Sequence, residues 1–557
     1  MIGWSVRKSS SMVMLPIALL YSAQAAANTQ TPQDRADPSV VEQELKLDDK
    51  VFDGRPSDPL RVKTADPDAA LTRPVLIRAI TLEGAVALPP SAYQAATLPY
   101  RNRTLSGREL QDLATAIAQV ARGAGFGLAS AWIPEQTVRD GSIRIAIDEG
   151  RIDDVLIKGN AADAAGPFFA SIATGAPVRT AELERQLLLA GDLPGVTIVK
   201  PRVERAGGRT LLVMTAVRNA VRGRASIDNW GTGNVGPARL HLSVDFNGLL
   251  ASDDRLTIGG SITPLDPSEF ALARASYGKA IGSNGTELSL SAYAARSQPG
   301  GTLADRDFEG RSAEASVAIN HPFLRSRVAS LWGEAEFSVR HSDQSLADAR
   351  IRKDRLAILK AGLFTTADLA GGSLRARLFA SRGLGILDAT RGGDPLASRD
   401  DGSAIYSKLE LWGDYDRDLF GPVSIQLQGE GQIASRPLLS SEEMGLGGRY
   451  FLRGYDYREY SGDKGVAGSV ELRFALPEIG GPLRAAQLYG YADAGTVGNY
   501  RDGSGGGSLA SAGGGIRTWL GKTIDASLEV GVPLKNGADP AENLNPRISF
   551  VIGSRFE

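Results

Sequence analysis

The segment Gly447–Gly465, GGRYFLRGYDYREYSGDKG, decides how this chain is read, together with the shorter run Gly490–Gly495, GYADAG, that follows it. The first is glycine-flanked and loop-like, yet it carries Arg449, Arg453 and Arg458 among several tyrosines. The second sets a single acid, Asp493, inside a glycine-spaced, strand-like run. An arginine on a long loop and an aspartate facing the interior of a β-structure can form a charge-assisted, bidentate hydrogen bond. Such a bond pins the loop inside something hollow, so the rest of the sequence has to supply the hollow.

The bulk composition narrows the choice. A chain of 557 residues is too long for one small core, so two or more domains are expected. It has no cysteine, which excludes structural disulfides and thiolate metal sites, and only three histidines, too few for a His-based centre. A net charge of -2 argues against a nucleic-acid partner. Residues 1–27 read as an export signal: Arg7 and Lys8, an apolar run Met12–Ala23 interrupted by Pro16, then small residues around Ala25. The alternative for that segment is an N-terminal anchor. No later run reaches the ~18 consecutive apolar residues of a membrane helix, so a membrane role requires a β-barrel.

Residues 28–74 are polar and punctuated by Pro32, Pro38, Pro56, Pro59 and Pro67, which reads as linker. Within them Ser39-Val40-Val41-Glu42 has capping-box spacing, which predicts either a helix over Val40–Lys50 or a polar tail with a chance cap. Residues 75–150 combine a strand at Ile80 and Leu82, a helix with Leu110, Leu113, Ile117 and Val120 on one face, and a strand at Ile143, Ile145 and Ile147. Residues 151–218 repeat the theme, with Val155 and Ile157, a helix through Leu183, Leu187 and Ala190, and a closing strand at Leu211 and Val213. Two successive α+β units of similar size and order suggest a duplicated module.

From residue 219 onward the pattern is almost purely period-two. Leu240, Leu242, Val244 and Phe246 alternate with His241, Ser243 and Asp245; Ile524, Ala526, Leu528 and Val530 alternate with Asp525, Ser527 and Glu529. In water such strands need a covering layer, and no helical pattern supplies one. A soluble sandwich or propeller is the alternative. Apolar-out, polar-in strands with glycine-rich connections point to an antiparallel transmembrane β-barrel, and at about 21 residues per strand and loop the segment 219–557 holds roughly 16 strands. A polar lumen also leads one to expect a plug or an inward loop.

An export signal, a short helix with linker, two α+β modules and a C-terminal barrel together resemble the two-partner secretion transporters, the haemolysin and filamentous-haemagglutinin exporters of Gram-negative outer membranes. Arg453-Gly454-Tyr455 is similar to that family's RGY/RGF loop motif, and Gly490, Asp493 and Gly495 to its Gly-x-x-Asp-x-Gly strand motif. Either alone is weak; both, in order and separated by a strand–turn–strand length, are specific. The resemblance implies that the sixth extracellular loop folds back into the barrel and that Arg453 pairs with Asp493. It further implies two polypeptide-transport-associated (POTRA) modules, at 75–150 and 151–218, and a barrel-plugging helix near Val40–Lys50. Asp192–Val196 resembles the end of the first helix of the second module, Ala121–Phe126 the helix exit of the first, and Asp228–Gly231 the opening of the first barrel strand. One departure is that Phe556 is penultimate, where such barrels usually end on the aromatic residue.

The function implied is secretion of an unfolded exoprotein, an adhesin or haemolysin with an N-terminal secretion domain, from the periplasm to the cell surface. The implied partners are that exoprotein, outer-membrane lipids and the barrel-assembly machinery. An insertase of the same superfamily is the rival reading; it would be expected to carry more modules. An enzyme mounted on a barrel is a further rival, but His241, His321 and His341 lie near no Gly-x-Ser-x-Gly run, so no catalytic residue, cofactor or metal is expected.

Overall fold

A computed structural model describes residues 35–49, 61–62, 74–206, 209–477, 480–500, 506–538 and 544–556. The export signal, most of the linker and Glu557 lie outside the described residues. From Val221 to Phe556 sixteen antiparallel strands close into a barrel, each paired with its sequence neighbour except where Val423–Ala434 passes across a long loop to Lys464–Ala475. Closure comes from the first strand, Val221–Asp228, pairing with the last, Arg547–Phe556, from Gly223 opposite Phe556 to Asp228 opposite Val551. The Phe556 ring lies over Gly223, in the space a side chain there would take. The penultimate aromatic thus covers the seam.

The period-two pattern becomes two surfaces. Leu242, Ile258, Leu290, Leu363, Leu411, Leu472, Leu528 and Ile552 point outward and are exposed. A contiguous apolar belt of this kind needs hydrocarbon against it. Arg239, Arg340, Asp354, Asp414, Glu471, Asp493 and Glu529 point inward and are buried. No helix among the described residues is long and apolar enough to cross a membrane; the crossing is made by strands. Strands Phe308–Arg325, Ala329–Leu346 and Ala349–Leu369 run 18, 18 and 21 residues, against the ~9–11 that span a bilayer. They project beyond it at the end away from the modules, and the loop 384–406 packs on them there through Leu384 N–H to Ala357 O and Lys353 N–H to Leu396 O.

Two α+β modules precede the barrel. In the first, Ala79–Glu83, Ser142–Asp148 and Ser130–Trp132 form a sheet under the helix Gly107–Gly123, which a Ser106/Glu109 capping box starts. Glu149 closes this module. Its carboxylate accepts from the amides of Val86 and Leu88 at 2.6 and 3.0 Å, from that of Ala87, and from the Tyr93 hydroxyl at 2.6 Å. In the second, the helix Thr180–Gly191 packs on the sheet of Val196–Ala206, Arg209–Arg218 and Asp154–Lys158. Asp192–Val196 follows this long helix, which is the second α-helix of the module after Ala162–Ala165, not the first. Asp228–Gly231 likewise sits at the far end of the first barrel strand rather than its start. The second module is docked on the barrel: Arg325 grips Asp192 with two bonds of 2.7 Å, and Arg185 donates to Pro322 O.

The N-terminal helix occupies Pro38–Asp49, inside the barrel. Its start differs from the capping-box expectation. Asp37 accepts from Ser39 N–H at 2.8 Å and caps the helix with Pro38 in the first turn, so Ser39 is a helical residue. Asp37 also takes Gln344 Nε2 at 2.9 Å, tying that end to the wall. Glu42, freed from capping, pairs with Arg274 at 3.0 Å, and Glu44 with Arg239 at 2.6 Å.

Two outcomes are expected from these contacts. Burial opposes the ionised form of Glu149, but the Tyr93 hydroxyl and three amides outweigh it and hold the carboxyl below its usual range. A lowered folded value means the stabilisation is complete above the unfolded pKa of about 4.3 and is lost as pH falls through the folded value. Glu149→Gln is expected to cost about 2 kcal/mol locally, read as faster hydrogen exchange at Val86–Leu88. The double change Glu42→Ala, Glu44→Ala removes the carboxylates that Arg274 and Arg239 face and weakens helix seating by about 3 kcal/mol, measured as more frequent opening in planar-bilayer recordings.

Candidate functional site

The loop between strands Val423–Ala434 and Lys464–Ala475 spans residues 435–463 and turns back into the lumen. Its stem is a two-stranded ribbon, Met444–Leu446 against Tyr460–Gly462. Between them the chain reverses through a turn closed by Tyr455 N–H to Leu452 O. Leu446, Leu452 and Tyr455 pack with Val497 and Leu509 of the wall as a small apolar core, which turns the arginine toward the polar side.

Arg453 is held on every face. Its backbone N–H and Nε both donate to Asp493 Oδ2 at 3.1 Å, and Nη2 donates to Asp493 Oδ1 at 3.1 Å, so the pair is bidentate with a main-chain bond added. Nη1 reaches Glu471 at 2.8 Å and Glu529 at 3.5 Å, and Nη2 also reaches Ser469. The guanidinium lies 3.3 Å from the centre of the Tyr491 ring. Tyr491 stacks with Tyr489, whose other neighbour is Arg517 at 3.7 Å, and both hydroxyls donate to Glu529. Glu471 in turn accepts from Arg473 and Arg517. Side-chain exposure is 7% for Arg453 and 0% for Asp493, so water does little to screen the pair.

The remaining predicted residues divide. Gly454 passes so close to the wall that a Cβ would lie 2.9 Å from Pro533 N and 3.1 Å from Ser511 Cβ. The Tyr455 hydroxyl sits between the carbonyls of Ala510 and Lys535 at 2.8 and 2.5 Å. Gly495 faces the lumen, where a Cβ would crowd Leu446 and Leu452 at 3.0 and 3.1 Å; its missing side chain is the seat for the loop. Gly490 is not part of this assembly. It stands three residues from Asp493, hence on the opposite face of the strand, paired with Leu472 and Gly514, and a Cβ there meets only ordinary contact.

Residues that the sequence reading did not single out complete the site. Glu471, Glu529, Tyr489, Tyr491 and Arg517 all lie at lumen-facing positions of period-two strands, and that parity was the only signal available for them. A second cluster fixes the loop's other limb: Glu442 takes Arg340 at 2.8 Å, Lys408 at 2.8 Å and the Tyr406 hydroxyl at 2.7 Å. Arg399 of loop 384–406 grips Asp463 at 2.8 and 3.1 Å and Glu443 at 2.8 Å, while Tyr500 N–H reaches the same Asp463. Arg35, three residues ahead of the helix, pairs with Glu459 of the loop at 3.0 Å. Among the described residues no group of His, Cys, Asp or Glu is placed to hold a metal. The arrangement is chemically a set of ion-paired latches holding a helix and a loop inside a polar channel.

Comparison with known proteins gives a family for this geometry. The family model for haemolysin secretion/activation proteins ShlB/FhaC/HecB matches residues 207–518, and that for the ShlB-type POTRA domain matches residues 75–150. The heme/hemopexin transporter protein HuxB of Haemophilus influenzae is 21% identical over 400 residues, 70% of each chain. Among solved structures, CdiB from Escherichia coli superposes with a TM-score of 0.72 at 19% identity, over 95% of this chain and 99% of that one. CdiB from Acinetobacter baumannii gives 0.64 at 17%, over 95% and 100%. BamA from Haemophilus ducreyi lacking POTRA domains 1–3 gives 0.52 at 14%, over 87% and 100%, a likeness of fold.

Asp493→Asn keeps the shape of the carboxylate but leaves Arg453 leaning on Glu471 and Glu529. The expected loss is about 3 kcal/mol of loop seating, seen as faster cleavage of residues 435–463 by protease added to intact cells. Gly490→Ala serves as the contrast and leaves cleavage unchanged.

Proposed function

The chain belongs to the haemolysin secretion/activation family of ShlB, FhaC and HecB, the two-partner secretion transporters of the bacterial outer membrane, and we propose that it captures one unfolded exoprotein on its periplasmic POTRA modules and passes it through the barrel lumen to the cell surface. The observation that carries this reading is the content of the lumen. The channel is lined by charge and filled by the protein's own helix and loop, held through side-chain pairs rather than by continuous sheet or covalent links. Such contents can leave, whereas the wall cannot open without breaking a full ladder of hydrogen bonds.

The modules would receive the client. An extended chain can add to a sheet edge through main-chain bonds with few demands on its side chains, which suits an unfolded protein. The second module sits on the barrel rim through Asp192 and Arg325, so a bound segment is presented beside the channel entrance. Arg453 and Asp493, with Gly454, Tyr455 and Gly495, would hold the inward loop in the one position that keeps the channel wall braced. The exoprotein would be an adhesin or haemolysin with an N-terminal secretion domain. Outer-membrane lipid would contact the apolar belt, and the barrel-assembly machinery would insert the chain, reading a last strand that carries Phe556.

The test is export. Co-expressed with its exoprotein client, Arg453→Ala is expected to lower exoprotein in the medium several-fold while the barrel remains folded, judged by its heat-modifiable migration on a gel. Export at the wild-type level by a folded Arg453→Ala barrel rejects the role of the clasp. A deletion strain that loses other outer-membrane proteins while its exoprotein is still exported would favour an assembly factor instead.

A further inference from the structure

On the lipid-facing side of the barrel the apolar belt is not level. Ala335, Ala361 and Ala380 stand directly opposite one another on three adjacent strands. Ile319 closes the row on one side, Leu409 and Ile433 on the other. The flanking outward positions are Leu359 and Arg382 above the row and Leu363 and Leu378 below it. Three methyl side chains between rows of larger ones leave a trough. It consists of two hollows of about 550 and 450 Å³ that share Ala361, Ala380 and Leu409. The first reaches Arg382, Ser407 and Ser435 at the end of the strands away from the modules. The second runs toward Phe323, near the periplasmic end of its strand.

We propose that this trough is a binding site for a phosphorylated, multiply acylated lipid of the outer leaflet, with one acyl chain lying in the trough and a phosphate on Arg382. The site stands whatever the channel carries.

Arg382 calls for an anion. Among the described residues its one partner is the Ser407 hydroxyl, which accepts from Nη1 at 2.7 Å. Three arginines on the projecting strands have acids instead: Arg311 has Glu309 at 2.8 Å, Arg350 has Asp343 at 3.2 Å and Arg355 has Asp388 at 2.9 Å. An exposed guanidinium at the border of the hydrocarbon, with no carboxylate of its own, attracts an anion, and a phosphate can accept two of its N–H groups at once. Ser407 and Ser435 are exposed beside it, and their hydroxyls can donate to the remaining phosphate oxygens. The modules mark the periplasmic side, so Arg382 faces the outer leaflet. The lipid of that leaflet in a Gram-negative envelope is the acylated glucosamine phosphate of lipopolysaccharide, which carries both the chains and the phosphate.

The trough also fits a chain in length. From Ile319 to Ile433 it crosses six strands, about 24 Å at ~4.8 Å per step. Strands of such a barrel tilt by about 35–45°, so a row across them runs obliquely through the membrane. An oblique path of about 24 Å covers the ~15 Å depth of one leaflet. Over a level belt a lipid chain slides freely. A chain in the trough touches side chains on both banks and gains dispersion contacts that a flat face does not offer. The phosphate on Arg382 then fixes its depth. Leu359, Leu363 and Leu378 hold the chain, while Arg382 selects the headgroup, so the two parts of the site can be tested apart.

The test uses full-length protein in mild detergent, stripped of lipid and titrated with lipid A, with uptake read by native mass spectrometry. Wild type is expected to take up one lipid A and to melt at a higher temperature in its presence. Arg382→Gln should weaken uptake about tenfold. The double change Ala361→Leu, Ala380→Leu fills the trough and should do the same with Arg382 intact. Arg311→Gln, whose arginine is already paired with Glu309, should bind as wild type does. Heat-modifiable migration checks that each barrel is folded. Equal uptake by wild type and both trough variants overturns the proposal. So does equal stabilisation by phosphatidylethanolamine, which has no net charge, or by inorganic phosphate alone, and so does a stable dimer that buries Ala361 and Ala380. No client is present in any arm, so failure here leaves the transport reading untouched, and loss of export leaves this site untouched.

Discussion

Inside a bilayer no water is available to a strand's N–H and C=O groups, and every other feature of this protein follows from meeting that constraint. Sixteen strands meet it only because the first is bonded to the last, from Gly223–Phe556 to Asp228–Val551. Closure fixes which side of each strand faces lipid, and so turns the alternate residues of a period-two pattern into the lining of a channel. A lining of Arg, Asp and Glu is tolerable only with partners, and the protein supplies them from its own chain: a helix threaded in from the N-terminus and a loop folded in from the far end.

The partners form one connected set. Arg453 joins the loop to three wall acids, Glu442 joins it to Arg340 and Lys408, and Arg399 draws a neighbouring loop onto Asp463. Arg35, just ahead of the helix, links that segment to Glu459 of the same loop, while Glu42 and Glu44 hold the helix to the wall. Buried ion pairs are poor sources of net stability, since desolvation offsets much of the attraction. They fix position instead, because each buried charge is satisfied only where its partner stands.

The long edge of the second module is covered by two linker residues, so channel and edge are both filled by segments of the same N-terminal stretch. The modules themselves are fixed more firmly. Main-chain bonds such as Thr180 N–H to Gly125 O join them, and the Asp192–Arg325 pair seats the second on the barrel.

Much of this was legible in the chain of residues. Alternation such as Leu240-His241-Leu242 carries both strand and sidedness, because side chains in a strand take opposite faces whatever the surroundings, so barrel class and strand number followed from local pattern. The Arg453–Asp493 pair was legible through two motifs. The outward placing of Gly490 followed from the same parity, three residues from Asp493, yet the motif grouped it with the site. What the sequence could not disclose is everything set by closure and register: that Arg517 and Tyr489 stack beside Arg453, and that Asp37 rather than Ser39 caps the helix because the wall offers Gln344 and Ser342 to the same carboxylate. Those contacts join residues far apart along the chain, and only the curvature of the closed sheet brings them within reach.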